Sequence, residues 1–103
     1  MAVINLLIVS NNKFNWGKIH NEMKSLNFNE LEYFPVPEYL GFKSDAVGVY
    51  ILYSESNFKS IYEELTICYE YFKKMDCKVY ELYNNDEIHS SDMLYKLTTN
   101  FLS

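Results

Sequence analysis

Two stretches constrain this 103-residue chain more than any others: Ala2-Val3-Ile4-Asn5-Leu6-Leu7-Ile8-Val9 and Ala46-Val47-Gly48-Val49-Tyr50-Ile51-Leu52-Tyr53. Both are short and rich in β-branched and large apolar residues, which suits strands better than helices. A strand with one wet face alternates apolar and polar residues, and neither of these does. A continuous apolar run implies burial on both faces, beneath one layer of helices and above another. Gly48 weakens its run and marks a place where other atoms approach the backbone closely.

The second run leads into Ser54-Glu55-Ser56-Asn57, a cluster of helix-capping residue types. Phe58, Ile61, Tyr62, Leu65, Cys68, Tyr69 and Phe72 then recur at helical spacing, with Lys73 and Lys74 at the end that favours positive charge. The first run leads into the loop Ser10-Asn11-Asn12-Lys13. A helix follows, carrying Trp16, Ile19, Met23 and Leu26 on one face, with Asn12 or Asn15 as its cap. Leu31 to Phe34 reads as a short strand, confined to an edge by Pro35 and Pro37. Pro37 to Gly41 fits one helical turn. Cys77 to Tyr83 reads as a strand whose charges, Lys78 and Glu81, mark the other edge. Asn84 to Glu87 reads as a turn, and Ser90 or Ser91 caps a last helix with Met93, Leu94, Leu97 and Phe101 on its inner face.

The order is βαββαβα in a single α/β domain spanning residues 1–103. Two architectures fit. The first is a three-layer open sheet of four mostly parallel strands in the flavodoxin-like order 2-1-3-4. The second is a ferredoxin-like α+β fold, with the helices on one face of an antiparallel sheet. The absence of alternation in the two apolar runs favours three layers.

Composition narrows the function. The formal net charge is -5, and all nine cationic side chains are lysines. This balance opposes contact with nucleic-acid backbones or anionic lipid, and no bidentate guanidinium grip is available. Cys68 and Cys77 make no metal or redox spacing and read as buried thiols of a cytoplasmic protein. The run Val3 to Val9 is too short to cross a membrane. There is no glycine-rich phosphate loop and no convergent nucleophile and base, so the expectation is no cofactor, no metal and no catalysis. His20 reads as structural. His89, beside Asp86 and Glu87, is at most a minor acid/base or metal candidate.

Two kinds of site remain. In the parallel arrangement, Ser10, Asn11, Asn12 and Lys13 would share one rim with Ser54, Glu55, Ser56 and Asn57, where a phosphate or nucleotide could lie against helix N-termini. The ten tyrosines are too many for so small a core, and several belong at the surface, where tyrosine serves protein recognition. Ile67, Tyr71 and Glu64 form an outward stripe on the long helix, and Tyr33, Tyr39 and Phe42 a second patch around the proline-bounded edge. The expectation is a non-enzymatic, acidic, tyrosine-rich protein-binding module, of the kind represented by small inhibitors, immunity proteins and phage or bacterial accessory antagonists. The alternatives are a small-ligand domain or minimal enzyme using the rim, and a homodimeric structural subunit joined through the long helix.

Overall fold

The computed structural model describes residues 2–39, 41, 43–54 and 56–102, with side chains at all of these except 2, 53 and 100–102. Phe42 and Glu55, and the side chain of Phe101, therefore lie outside the described residues. The elements are β1 (Ala2–Val9), α1 (Trp16–Leu26), β2 (Leu31–Val36), β3 (Ala46–Tyr53), α2 (Phe58–Lys73), β4 (Lys78–Glu81), β5 (Asp86–Ile88) and α3 (Ser91–Leu102).

The strands form one five-stranded sheet in the order β2-β3-β1-β4-β5. Every adjacent pair is antiparallel. This overturns the flavodoxin-like sheet of four mostly parallel strands. The first six elements follow the ferredoxin-like arrangement, extended by β5 and α3. The β1 and β3 strands are central neighbours, paired along their full length from Ala2 opposite Tyr53 to Val9 opposite Ala46.

The register divides the sheet into two unlike faces, because side chains alternate with a period of two. Ile4, Leu6 and Ile8 of β1 and Val47, Val49 and Ile51 of β3 point to the same side, and all six are essentially sealed from solvent. Against them pack Ile19 and Met23 of α1, Ile61, Leu65, Cys68 and Phe72 of α2, and Leu94 of α3. The three helices thus bury one face in a common core. Among the described residues, no helix lies on the other face. The apolar runs lack alternation because the residues on that second face are also apolar, and not because a second helical layer covers them.

Local chemistry explains the element ends. Asn15 caps α1, its Oδ1 accepting the N–H of Lys18, and Asn27 closes the helix in the left-handed conformation at φ 57°. Residues 37–39 make a turn and not a helical turn, with Glu38 at φ 59° and Gly41 at φ 71°. The strand expected over residues 77–83 is shorter, because Glu81 is not an edge residue. It is 1% exposed, and its carboxylate accepts the N–H groups of Tyr83 and Asn84 at 2.6 and 2.8 Å, turning the chain into β5. The segment expected to be a simple turn contains that fifth strand, and β5 is the sheet edge.

Ile51 and Leu52 are adjacent yet belong to opposite faces, 0% and 46% exposed. Ile51→Ala is expected to destabilise the protein by about 2–5 kcal/mol, and Leu52→Ala by no more than about 0.5 kcal/mol, in urea denaturation of dilute protein. Comparable large losses for both would mean that both faces are covered.

Candidate functional site

The antiparallel β1–β3 pair separates the two loops that a parallel sheet would have joined. Ser10 to Lys13 leaves the end of β1 beside the start of β3, whereas Ser54 to Asn57 leaves the opposite end of the sheet. For eight-residue strands rising about 3.4 Å per residue, that places the loops roughly 24 Å apart. They form no common rim. Their polar groups bond within the chain. Ser10 Oγ accepts the Asn12 N–H at 3.0 Å, and Asn11 Nδ2 donates to the carbonyl and carboxylate oxygens of Asp76, both at 3.2 Å. Lys13 Nζ lies 3.5 Å from Glu38. At the far end, Asn57 Oδ1 accepts the Ser54 N–H at 2.8 Å, and the hydroxyls of Ser54 and Ser56 are 2.8 Å apart.

Asp45 holds the first of these loops in place. Its side chain is buried, and its carboxylate accepts the N–H groups of Phe14 and Glu38, both at 2.8 Å. The second bond keeps Glu38 in its left-handed conformation. The Asp45 backbone also joins Ser10 and Asn12, at 2.9 and 3.2 Å. Burial alone would raise the Asp45 carboxyl pKa. The N–H groups of Glu38 and Phe14, the Lys13 charge and the Trp16 indole outweigh it and hold the group below its ordinary 3.8.

The two aromatic patches do not survive as units. Ile67 is exposed, but Tyr71 is half-buried, edge-on to Phe72 with ring centroids 4.9 Å apart. Burial, together with the Glu22 carboxylate, pushes its phenol up in pKa. Glu64 is committed to the fold, its carboxylate accepting the N–H groups of Asn29, Glu30 and Leu31 at 3.0–3.3 Å. Tyr33 and Tyr39 lie on opposite sides of the sheet. Tyr33 faces α1, its hydroxyl 3.3 Å from His20 Nδ1. With Trp16, Ile19, Pro35 and Pro37 this pair lines an apolar cavity of about 270 Å³, below the roughly 300–1,000 Å³ of typical ligand pockets. His89 Nδ1 is 3.3 Å from Glu87, both at the surface. Among the described residues no group of three or more potential metal ligands converges. Burial pushes the thiol of Cys68 up to about 12 and that of Cys77 up to about 11, so both are protonated at neutral pH.

The feature that stands out is the open face of the sheet. The register lays its residues in rows across the strands. One row is Val36, Ala46, Val9 and Lys78. The next is Phe34, Gly48, Leu7, Tyr80 and Glu87. A third holds Glu32, Tyr50 and Asn5, with Leu82 beside them through its N–H bond to the Asn5 carbonyl. The last is Leu52 and Val3. Val3, Phe34, Leu52 and Leu82 are 44–49% exposed. Tyr39 reaches over the same side, and with Leu7, Val9, Tyr80 and Leu82 it borders a concavity of about 380 Å³. The Phe34 ring fills the space where a Cβ on Gly48 would stand, so glycine is required for the ring to lie flat on the sheet. The Tyr50 hydroxyl donates to the Glu32 carboxylate, which raises the Tyr50 pKa.

No protein-family model, no curated protein and no solved structure matches this chain. No helix among the described residues is long and apolar enough to cross a membrane.

Asp45→Asn places an amide N–H₂ or a single acceptor where two N–H donors converge. It is expected to destabilise the protein by about 1.5–3 kcal/mol at pH 7. The folded pKa lies below 3.8, so the carboxylate's contribution is complete above that value and disappears as pH falls through the folded pKa. Urea denaturation should therefore show the gap between wild type and Asp45→Asn narrowing as pH falls below 3.8. An unchanged gap would contradict the role given to the charge.

Proposed function

We propose that the protein is a non-enzymatic protein-interaction module whose contact surface is the open face of the β-sheet. The observation that carries this reading is the exposure of Val3, Phe34, Leu52 and Leu82 on adjoining rows of one face, each a large apolar side chain nearly half accessible. Burying apolar side chains of this size is the main driving force of protein association. Tyr39, Tyr50 and Tyr80 add broad, stiff contacts with polar tips, the composition favoured at interface centres.

Charge argues for a protein partner over nucleic acid. Aromatic side chains on an open sheet can stack on bases, but they do so within a positively charged groove. Here the charges that the strands place on the open face are Glu32, Lys78 and, at the β5 edge, Glu87, in a chain of net charge -5 without arginine. The contact is accordingly apolar in character, and is not an acidic patch laid over a basic site. The helical side, with exposed Ile67 on α2, serves as the internal control.

The test is affinity capture from an extract of the source cells, using wild-type, Leu52→Lys and Ile67→Lys baits. Leu52→Lys is expected to reduce recovery of the bound protein at least tenfold, with Ile67→Lys equal to wild type. Equal recovery by Leu52→Lys, or loss with Ile67→Lys alone, would overturn the assignment of the surface.

A further inference from the structure

We infer that the seam between α1 and β2 is a binding site for a small aromatic carboxylate, its ring held by Trp16, Pro35 and Pro37 and its carboxylate by the His20–Tyr33 pair and Lys24. The site lies on the helical side of the sheet, opposite the proposed contact face, and does not depend on that face binding a protein.

Spacing builds the seam. Trp16, His20 and Lys24 stand four apart on α1, about 6 Å per step. Leu31, Tyr33 and Pro35 stand two apart on the inner side of β2, about 6.8 Å per step. The two rows nearly match, and they touch where the Tyr33 hydroxyl meets His20 Nδ1 at 3.3 Å. One cavity, of about 270 Å³, is walled by Trp16, Ile19, Pro35 and Pro37. A second, of about 420 Å³, is walled by Met23, Lys24, Asn27, Phe28 and Leu31. His20 and Tyr33 line both, so their contact sits where the two meet. The seam thus runs from an apolar end, through a polar pair, to a cationic end.

The lining selects the ligand. An indole, a phenol ring and two proline rings offer flat apolar surfaces to an aromatic ring. An apolar cavity of about 150 Å³ is enough to hold benzene, so the first cavity has room for one ring with a short tail. The pair at the tail supplies donors. One hydrogen joins His20 to Tyr33, whichever atom donates it, which leaves one N–H or O–H on the neutral pair and two when the imidazole is charged. Among the described residues no acid lines either cavity, and Lys24 makes no ion pair. Glu22, the acid of α1, lies 3.8 Å from Lys18, and Glu64 is committed to the N–H groups of residues 29–31. Glu30 is exposed and lines neither cavity. In a chain of net charge -5, an anion here meets donors and a lysine without a facing carboxylate. A ligand ammonium would meet Lys24, and a doubly charged phosphate would find one lysine and no guanidinium.

Trp16 is the chain's one tryptophan and lines the site, so its fluorescence reports occupancy. The experiment titrates the full chain with phenylacetate, with its neutral analogue phenylacetamide and with aliphatic hexanoate. Circular dichroism controls the folding of each variant. Phenylacetate is expected to give a saturable change with a Kd of about 1 mM or below, and phenylacetamide to bind about tenfold more weakly for want of the charged acceptor. Hexanoate should also bind more weakly than phenylacetate. The double variant His20→Leu with Tyr33→Phe removes the donors of the pair and should weaken phenylacetate about tenfold. Lys24→Gln, at an exposed position, should weaken it about threefold, and Leu52→Lys on the far face should leave it unchanged. A change that never saturates overturns the inference. Equal affinity for acid and amide overturns the carboxylate assignment, and hexanoate binding more tightly overturns the aromatic one. Full affinity in both the double variant and Lys24→Gln, or loss with Leu52→Lys, overturns the location.

Discussion

The β1–β3 ladder is the constraint on which the rest of the structure depends. Eight residues of each strand pair antiparallel, and their alternation decides which side chains enter the core. A slip of one residue would exchange Ile4, Leu6 and Ile8 for Val3, Asn5 and Leu7 beneath the helices, burying an asparagine and turning out three large aliphatics. Helices α1, α2 and α3 gather on the side this register selects. They are joined by aromatic contacts: Phe14 with Trp16 and Phe72, and Tyr95 of α3 with Phe58 and Tyr62 of α2. Two of the ten tyrosines, Tyr62 and Tyr95, are accounted for here, in contacts between helices.

The same ladder leaves much of the second face exposed. A half-buried sheet ordinarily reads as apolar inside and polar outside. Here the outer positions of β1 and β3 include Val3, Leu7, Val9, Tyr50 and Leu52, with only Asn5 fully polar. The face is therefore built of side chains suited to burial, and the fold of a single chain covers Leu7, Val9 and Tyr50 only in part and leaves Val3 and Leu52 nearly half exposed. That mismatch links the fold to the proposed function.

Seven of the eight elements were legible in the sequence: helical spacing located α1, α2 and α3, apolar runs or prolines located β1, β2 and β3, and the run from Cys77 located β4, drawn too long. Strand direction was not, because a period of two is the same in parallel and antiparallel ladders. The two-sided apolar runs were a true signal attached to the wrong cause, a second helical layer in place of an open, largely apolar face. β5 was hidden because Asp86 and Glu87 are poor strand formers. Its clue was the Asn84-Asn85 pair, with Asn85 at φ 60° as tight hairpins require. Glu81 and Glu64 looked like solvated charges and are carboxylates that cap turns. Sequence spacing cannot show a contact such as Glu64 with residues 29–31, which is made across more than thirty positions. Of the interface candidates, Tyr39 lies on the face proposed here for contact, and Val3, Phe34, Leu52 and Leu82 were not among them because each was assigned to the interior or to an edge.

The central claim is that the fold of one chain leaves large apolar side chains of the second sheet face accessible to a partner. Hydroxyl-radical footprinting of dilute protein tests it most directly, read at Leu52, Phe34 and Leu82 against exposed Ile67 and buried Ile51. The account predicts labelling of the three face residues on the scale of Ile67, with Ile51 protected. Face residues as protected as Ile51 would contradict it.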